Sequence, residues 1–445
     1  MRYYPRGLAL LLVLAASAGT SYGLHQQTPM FFQITTAPSQ TGRAQTFAGR
    51  TTVQVFESDA DLLGNGNATP QIFVFEQSQR VKRRRQGLFQ LTFGDQPSRA
   101  PAAAKRGRII AFESAADLLG NNSTGREIFA STGAKHKRGQ LPLFQLTNAA
   151  GESFAPLISR NGDFLLFAST ADLGNDGLNP GQHIYRALLK SRIVGKGNCP
   201  SYPCAPYVLS PDVLNPGLDL LSRAVANNPA SDSTGQLVAF ESTEDVLENG
   251  YADGVRQLYL KDFVAGTVEQ FTDGTRDSRN PIIRDEGDLV AFESDADLLN
   301  TGSTRTQIFL LDRRSQPQQL EQLTFGTDGD STRPAFNTTG GKKDDVVVSF
   351  LSTADFNGNG VAGINQIYIV RLPERQLIQV TTLSESIVSR LAGVYTYVSF
   401  WSEADVLGEG NDSLQLFEVN LFKLLKTVAP VPTPATTPTG APLRR

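Results

Sequence analysis

The chain has 445 residues, of which 40% are hydrophobic and 19% are charged, and its formal net charge is −3. This composition is that of a folded protein, and the small net charge argues against a nucleic-acid binder and against an acidic tail. The length alone would predict two or three domains, but an internal repeat changes that expectation because the copies share one fold.

The N-terminus has the pattern of a secretory signal peptide. Arg2 and Arg6 precede a short apolar run over residues 7–16, and cleavage is predicted after Ala18 or Gly23. The run is too short for a permanent anchor, and no other segment approaches the length of a transmembrane helix. We therefore expect a signal peptide over 1–23, a mature chain without a transmembrane segment, and a periplasmic or secreted location.

A short sequence phrase recurs seven times beyond this segment. An apolar run ends in Ser, an Asp follows three residues later, and an aromatic run begins about a dozen residues further on. Successive repeated aspartates are between 50 residues (Asp355 to Asp405) and 73 residues (Asp172 to Asp245) apart. Repeats of this size with short strands are typical of β-propellers. The repeated aspartates are Asp61, Asp117, Asp172, Asp245, Asp297, Asp355 and Asp405.

Each copy predicts four antiparallel strands, which we call a, b, c and d in chain order. In the fifth copy, residues 289–293 form strand b, 307–311 strand c and 321–324 strand d, and 333–336 open the sixth copy as its strand a. The fold-class prediction is an all-β, seven-bladed propeller of four-stranded antiparallel blades over residues 31–421.

The seventh copy lacks a d strand after residues 415–419. Residues 31–35, Phe-Phe-Gln-Ile-Thr, match the Gln-Leu-Thr type of strand d and precede the first copy. We expect this N-terminal strand to pair with the last c strand and close the ring, because closure removes the open edge of a linear stack.

The third copy shows the order of the repeat most completely. It reads Gln145-Leu146-Thr147, Gly151, Pro156-Leu157-Ile158-Ser159, Leu166-Phe167-Ala168-Ser169 and Ile184-Tyr185. This order resembles the TolB family of WD40-like (PD40-type) propeller repeats, and similar runs cover residues 31–421. The resemblance implies a β-propeller and no particular activity. TolB also carries an N-terminal α/β domain, for which this chain has no room, so the partner contacts of TolB are not carried over.

The repeated aspartates have two interpretations, a functional ring of carboxylates or caps of the b–c turns. We favour caps, because every copy needs the turn and Asp accepts backbone N–H bonds in such turns. The b strands carry a glutamate in four copies only, and we expect these side chains to be solvated or paired with neighbours; lining of the channel is the less favoured alternative. They are Glu57, Glu113, Glu241 and Glu293, replaced by Ala168, Leu351 and Trp401 in the other copies.

No catalytic residue is predicted. The three histidines, His25, His136 and His183, have no evident nucleophile partner, and no phosphate-binding glycine loop or zinc spacing occurs. Catalysis by carboxylates alone stays open, although no pair stands out.

Asp355, Asn357 and Asn359 resemble the front half of a calcium loop, but Gln366 stands where a bidentate Glu belongs. Since Asn-Gly pairs are common in hairpin turns, we favour a turn over an ion. No cofactor is predicted, and calcium at this loop is the one alternative.

Two cysteines, Cys199 and Cys204, lie in the insertion that lengthens the step from the third to the fourth copy. In an oxidising compartment they predict a local disulfide. The tail over 427–445 is rich in Pro and Thr and predicts a disordered, extended spacer.

Basic residues cluster on one side of the predicted propeller. In a four-stranded blade the a–b and c–d turns lie on one side, and these turns in the first three copies are rich in Lys and Arg. One interpretation is that these residues are basic only because turns are exposed to solvent. The more specific interpretation is a docking face for an acidic envelope protein or an anionic surface. Nucleic acid is disfavoured, because no aromatic residues are interleaved. The basic residues are Lys82, Arg83, Arg84, Arg85, Lys105, Arg106, Arg108, Lys135, Lys137 and Arg138, with Arg160, Lys190, Arg192 and Lys196 nearby.

The sequence thus favours an exported, non-enzymatic protein-interaction scaffold of the cell envelope. The alternatives are a carbohydrate- or peptide-processing enzyme that uses the central funnel, and a calcium-stabilised binding propeller. An enzyme would show close carboxylates with shifted pKa values in a deep funnel.

Overall fold

The computed structural model of the protein describes residues 31–35, 44–47, 51–78, 86–122, 125–132, 143–174, 177–178, 181–189, 207–208, 218–222, 224–247, 254–338, 346–372, 374–387, 391–394, 397–408, 413–427 and 441–442. The predicted signal peptide, Cys199 and Cys204, and the basic runs at 82–85 and 135–138 lie outside these residues and stay predictions.

The described residues form seven sheets, and within each of them the strands of one repeat pair antiparallel in chain order. The first strand is β1 (Phe31–Gln33). Sheet 1 contains β2 (Ala44–Phe47), β3 (Thr51–Ser58), β4 (Gln71–Ser78) and β5 (Gln86–Gln90). Sheet 2 contains β6 (Ser98–Ala103), β7 (Ile109–Ser114), β8 (Glu127–Thr132) and β9 (Leu143–Gln145). Sheet 3 contains β10 (Ser153–Ile158), β11 (Phe164–Ser169), β12 (His183–Leu188) and, after β13 (Tyr207–Val208), β14 (Leu218–Leu220).

The remaining sheets repeat this arrangement. Sheet 4 contains β15 (Asn227–Ser231), β16 (Leu237–Ser242), β17 (Gln257–Asp262) and β18 (Thr267–Gln270). Sheet 5 contains β19 (Ser278–Ile283), β20 (Leu289–Ser294), β21 (Gln307–Asp312) and β22 (Gln319–Gln322). Sheet 6 contains β23 (Ser331–Thr338), β24 (Val346–Ser352), β25 (Gln366–Leu372) and β26 (Gln376–Gln379). Sheet 7 contains β27 (Ala392–Val394), β28 (Tyr397–Ser402) and β29 (Gln415–Asn420), and helix α1 (Leu421–Thr427) and β30 (Ala441–Pro442) follow. The predicted all-β class with four-stranded antiparallel sheets is confirmed.

Two sheets gain a fifth strand that the repeat does not predict. β13 pairs parallel with β9 at the outer edge of sheet 2, and β30 pairs antiparallel with β22 at the outer edge of sheet 5. The sequence predicts an extended spacer for the C-terminal tail, but residues Ala441–Pro442 of this tail pair with a strand of sheet 5.

Aromatic side chains hold strands b and c together in every sheet. The Phe of strand b lies directly opposite a Phe or Tyr of strand c, with the two rings stacked at centroid distances of 5.5 to 6.0 Å. Stacked cross-strand pairs of this kind stabilise a sheet beyond the area that they bury. The pairs are Phe56–Phe73, Phe112–Phe129, Phe167–Tyr185, Phe240–Tyr259, Phe292–Phe309, Phe350–Tyr368 and Phe400–Phe417.

The repeated Gln and Thr extend the pairing of strands c and d with side chains. In sheet 5 the Thr324 hydroxyl accepts the backbone N–H of Ile308 at 2.9 Å and donates to Gln307 Oε1 at 2.7 Å. The sequence predicts strand d over residues 321–324, but the observed strand is Gln319–Gln322. Thr324 lies beyond the end of the strand because it bonds through its hydroxyl.

Buried apolar clusters lie between the sheets. Among the described residues there are seven such clusters: six are each shared by two sheets that follow one another in the chain, and the seventh joins sheet 7 to sheet 1. In that last cluster Trp401 packs edge-on against Phe56 at a centroid distance of 6.1 Å.

The N-terminal strand lies where the sequence predicts it. β1 pairs antiparallel with β29 of sheet 7, with Gln33 opposite Phe417. The Ile34 N–H donates to Leu416 O at 2.7 Å, and the Thr35 hydroxyl donates to Gln415 Oε1 at 2.8 Å. β1 therefore supplies the fourth strand that sheet 7 lacks.

No helix of the described chain is both long and apolar enough to cross a membrane.

Removal of residues 24–35 tests whether β1 stabilises the whole assembly. Because Ile34 is buried, its loss alone is expected to lower the free energy of unfolding by about 2–5 kcal/mol, and the chain should still unfold in one transition at a lower temperature. Calorimetry measures both. Truncation after Thr427 is the control and should shift the transition far less. An unshifted transition after the N-terminal deletion would show that β1 does not stabilise the sheets.

Candidate functional site

The a strands of sheets 2 to 6 surround a cavity of about 580 Å³, which we call the central cavity. Its size is that of a small-molecule site. Its wall combines prolines and aliphatic side chains with a few polar groups, among them Arg160, Asp232, Asp285 and Gln182.

Each of these five a strands contains a bulge at an X-Pro pair that faces the central cavity. The register shifts across the pair, and the residue before the proline has a positive φ of 42° to 55°. Non-glycine residues adopt this conformation at a cost of about 1–3 kcal/mol each, so neighbouring contacts must hold it. The pairs are Ala100-Pro101, Ala155-Pro156, Asn228-Pro229, Asn280-Pro281 and Arg333-Pro334.

The b-strand glutamates hold four of these bulges. Each is buried, and its carboxylate accepts the backbone N–H of the left-handed residue in the next sheet at 2.6 Å. Of the two alternatives expected for these side chains, solvated or paired with neighbours, the structure shows the pairing. The bonds run from Ala100 N to Glu57, from Ala155 N to Glu113, from Asn280 N to Glu241 and from Arg333 N to Glu293.

The fifth bulge shows what happens without the glutamate. Sheet 3 carries Ala168 at the glutamate position, and the left-handed residue of sheet 4 is Asn228. Asn228 donates its side-chain amide to Glu241 of its own sheet at 2.9 Å. The side chain thus anchors the bulge from within the sheet.

An arginine lies beside each of the four glutamates. The guanidinium nitrogens are 3.3 to 3.9 Å from the carboxylate oxygens, and the pairs are Arg99–Glu57, Arg126–Glu113, Arg256–Glu241 and Arg279–Glu293. The carboxylates of these four glutamates are therefore bound on one side by a backbone N–H and on the other by a cation. This arrangement stabilises the contact between sheets.

The a–b turns of sheets 2 to 5 are tied together at one end of the central cavity. Lys105 N donates to Arg160 O at 2.8 Å, Asn161 N to Ser233 O at 3.0 Å, and Ser233 N to Asp285 O at 3.0 Å. The Arg160 side chain forms an ion pair with Asp285 across the turn of sheet 4. Arg160, which the sequence places near the basic face, is thus partly neutralised.

Lys105 and Arg108 lie on the same side, next to the 3₁₀ turn Lys105–Gly107 of sheet 2, and both are exposed. Neither forms an ion pair with another described residue. On the same side of sheet 5, Arg284 pairs with Glu286 and Asp288 and Arg314 pairs with Asp312, whereas Arg313 donates to the backbone oxygen of Gly287. Among the described turns, Lys105 and Arg108 are thus two exposed cations without a carboxylate partner.

The repeated aspartates accept backbone N–H groups of the turn that follows strand b. Asp61 accepts Asn65 N at 2.8 Å and Gly66 N at 3.0 Å, and Asp117, Asp172, Asp297 and Asp355 make corresponding bonds. The N–H groups of Gly66 and Asn65 lower the pKa of Asp61. The turns after Asp245 and Asp405 lie partly outside the described chain.

In the loop considered for calcium, the amide groups point inward. Asn357 Nδ2 and Asn359 Nδ2 both donate to Gln379 Oε1 at 2.8 Å, and Asp355 accepts two backbone N–H groups. These contacts are those of a closed turn. Within the described residues, no three His, Cys, Asp or Glu side chains are grouped in a way that would hold a metal.

His183, the only histidine in the described chain, is buried at the start of β12. His25 and His136 lie outside it, as do Lys82, Arg83, Arg84, Arg85, Lys135, Lys137, Arg138, Lys190, Arg192 and Lys196.

No family model and no curated protein sequence matches this chain. Among solved structures, the β-propeller domain of the trilobed protease from Pyrococcus furiosus is similar to it with a TM-score of 0.50 and 10% identity, over 86% of this chain and 94% of that domain. A puromycin-hydrolyzing peptidase of Mycobacterium tuberculosis has a TM-score of 0.50 and 10% identity, over 87% of this chain and 54% of the peptidase.

A putative TolB from Agrobacterium tumefaciens is also similar, with a TM-score of 0.40 and 12% identity, over 76% of this chain and 94% of that one. Likeness at such low identity shows the fold alone. The similarity to the two structures at a TM-score of 0.50 confirms the β-propeller fold predicted from the repeat. This chain spans about half the length of the peptidase.

Substitution of Glu293 tests the inter-sheet bond at one bulge. Glu293→Ala leaves the N–H of Arg333 without its acceptor and is expected to cost about 1–3 kcal/mol in the free energy of unfolding, measured with urea. Glu293→Gln, which keeps an acceptor oxygen, should cost less. Glu385→Ala removes an exposed glutamate as the control, and a Glu293→Ala cost no larger than this control would refute the assignment.

The pH dependence of stability tests the turn caps. Since the pKa of Asp61 is depressed in the folded state, its contribution is present above its ordinary value of 3.8 and is lost as the pH falls through the folded value. Urea unfolding between about pH 5 and about pH 2 should show a shallower loss of stability for Asp61→Asn than for the wild type. Asp95→Asn, at an exposed turn, should keep the wild-type slope; equal slopes in all three chains would contradict the cap.

Proposed function

We propose that the chain is an exported, seven-bladed TolB-like propeller, closed by β1 on its last blade, that acts as a non-enzymatic protein-interaction scaffold of the cell envelope. Its docking surface is the basic side of the first three blades. Closure is supported by the apolar cluster at each of seven sheet junctions and by the pairing of β1 with β29.

The observation that carries the docking role is the uneven distribution of unpaired charge. Lys105 and Arg108 are exposed and unpaired within the described chain, whereas two arginines of sheet 5 on the same side, Arg284 and Arg314, are bound to carboxylates. A positive patch beside neutralised surroundings attracts an acidic partner and orients it on one side of the molecule. The sequence predicts that the basic runs at 82–85 and 135–138 lie in turns of the same side, where they would extend the patch.

The contacts of the buried b-strand glutamates support a scaffold more than an acid–base enzyme. Glu57, Glu113, Glu241 and Glu293 are bonded to backbone N–H groups and lie beside arginines, so their oxygens hold sheets together. A general acid would need a carboxyl with a raised pKa within reach of a substrate.

The partner that best fits the patch is an acidic protein surface. The sequence predicts guanidinium and ammonium groups in turns of three blades, and such spacing would match scattered carboxylates. An anionic lipid surface, the second source of negative charge, is an outcome that the experiment separates from it.

The test compares two double variants of equal charge change. Lys105→Gln with Arg108→Gln neutralises the patch, whereas Arg276→Gln with Arg305→Gln removes two exposed arginines from the opposite side. Both variants and the wild type are used for affinity capture from envelope extracts and for binding to vesicles with and without anionic lipid. We expect capture of acidic proteins to weaken roughly two- to thirtyfold in the first variant only.

A third variant, neutral at Arg83, Arg84, Lys137 and Arg138, should lose capture further. Equal recovery of all partners by all chains would remove the basic docking side. A loss confined to anionic vesicles would assign the patch to lipid instead.

A further inference from the structure

The junctions between sheets share one pair of positions. At each junction a residue of strand c in one sheet lies against a residue of strand b in the next, and at five of the seven junctions both residues are apolar and belong to one cluster. These pairs are Val74 with Ile110, Ala130 with Leu165, Leu260 with Val290, Leu310 with Val348, and Ile369 with Val398.

The junction between sheets 3 and 4 carries a cation at the strand-c position. Arg186 replaces the apolar residue there, and its guanidinium lies 4.4 Å from the ring centre of Phe164 and 3.4 Å from that of Phe263. The two rings compensate for the loss of water around the charge.

The junction between sheets 7 and 1 is polar at both positions. Glu418 stands in strand c and Gln54 in strand b, and both are buried. Gln54 Nε2 donates to Glu418 Oε2 and, at 3.4 Å, to Ser399 Oγ. Gln54 is the only side-chain partner of Glu418 in the described chain.

Gln54 Oε1 is buried at this junction and accepts no hydrogen bond from a described residue. A buried amide oxygen without a donor costs about 1–3 kcal/mol. An ionised Glu418 offers only acceptor oxygens, whereas a protonated one carries an O–H that can donate to Gln54 Oε1. The protonated form alone satisfies both groups, as a cyclic acid–amide pair with two hydrogen bonds.

We propose that Glu418 is a neutral carboxylic acid that closes the junction between sheets 7 and 1 through Gln54, and that its ionisation opens this junction in preference to the other six. On ionisation the proton passes to water, and a buried carboxylate is left facing the oxygen of Gln54. Opening hydrates that carboxylate and frees β1.

Burial raises the pKa of Glu418 to about 8, although the hydrogen bond from Gln54 lowers it in part. The strands packed around it add few titratable groups: β1, β2 and β27 have none, β3 adds Glu57, β28 adds Tyr397 and α1 adds Lys423 and Lys426. None of these forms an ion pair with Glu418, so burial and Gln54 govern its protonation.

The direction of the pH effect follows from the raised pKa. The junction keeps its full stability below the ordinary glutamate value of 4.5 and loses it as the pH rises through about 8. Between these two pH values the equilibrium constant for opening the junction should rise by up to about tenfold per pH unit, and above them it should level off.

Hydrogen exchange followed by mass spectrometry tests this on the full chain. Exchange of peptides covering 31–35 and 415–420 is divided by that of peptides at the junction of sheets 4 and 5 in the same sample, which cancels the intrinsic pH dependence. The ratio should rise with pH in the wild type and stay flat in Glu418→Gln. Glu374→Gln, at an exposed site, should behave as the wild type.

A double variant keeps the proposal testable if Glu418→Gln does not fold. Glu418→Leu with Gln54→Val installs the apolar pair found at the junction of sheets 5 and 6, so it should fold and show a pH-independent ratio. The wild type at neutral pH should also show the infrared carbonyl band of a buried protonated acid, which Glu418→Gln lacks. A flat ratio in the wild type, the same rise in Glu418→Gln, or no such band would overturn the proposal.

Discussion

The architecture of this protein depends on sheets that are apolar on both faces. Strands b and c of each sheet alternate side chains between two sides, and both sides are buried, as the continuous burial along β7, β16 and β20 shows. A sheet of this kind must be covered twice. Seven of them in a row would leave two apolar faces in water, so the cluster that joins Trp401 and Leu416 of sheet 7 to Phe56 and Phe73 of sheet 1 is the contact on which the rest depends.

The repeated residues serve this requirement, and the exceptions to the repeat are where function is to be sought. The stacked aromatic pairs, the aspartate caps and the Gln–Thr bonds recur because each sheet needs them. The basic turns of sheets 1 to 3 do not recur, and the pair Gln54–Glu418 occurs once, at the junction of the chain's two ends. The proposed docking side and the proposed pH-sensitive junction both rest on such departures.

Much of the fold was predictable because it is coded locally. Alternating Phe and apolar residues indicate strands b and c, and the Gln-Ile-Thr of residues 33–35 indicates a d strand displaced to the N-terminus. The inter-sheet bonds of the b-strand glutamates were missed, because donor and acceptor are 39 to 43 residues apart and the bond needs a left-handed residue. One signal was available: every copy with such a glutamate is followed by an a strand with an X-Pro pair, and the copies with Leu351 and Trp401 are not, although the copy with Ala168 is followed by Asn228-Pro229.

The polar junction carried no comparable signal. Gln54 and Glu418 are 364 residues apart in the sequence. A single Gln or Glu in a strand usually indicates a side chain that faces solvent. Only the register of β3 and β29 shows that they occupy positions where five other junctions place two apolar residues.

The meeting of sheets 7 and 1 can be measured directly with spin labels in a chain whose two cysteines are replaced by serine. Labels at Glu403 and Asp59 occupy the same repeat position in sheets 7 and 1, and labels at Asp59 and Ala115 occupy it in sheets 1 and 2. The account predicts the same mean distance for both pairs. A markedly longer distance between Glu403 and Asp59 would mean that the sheets form an open row, and would contradict it.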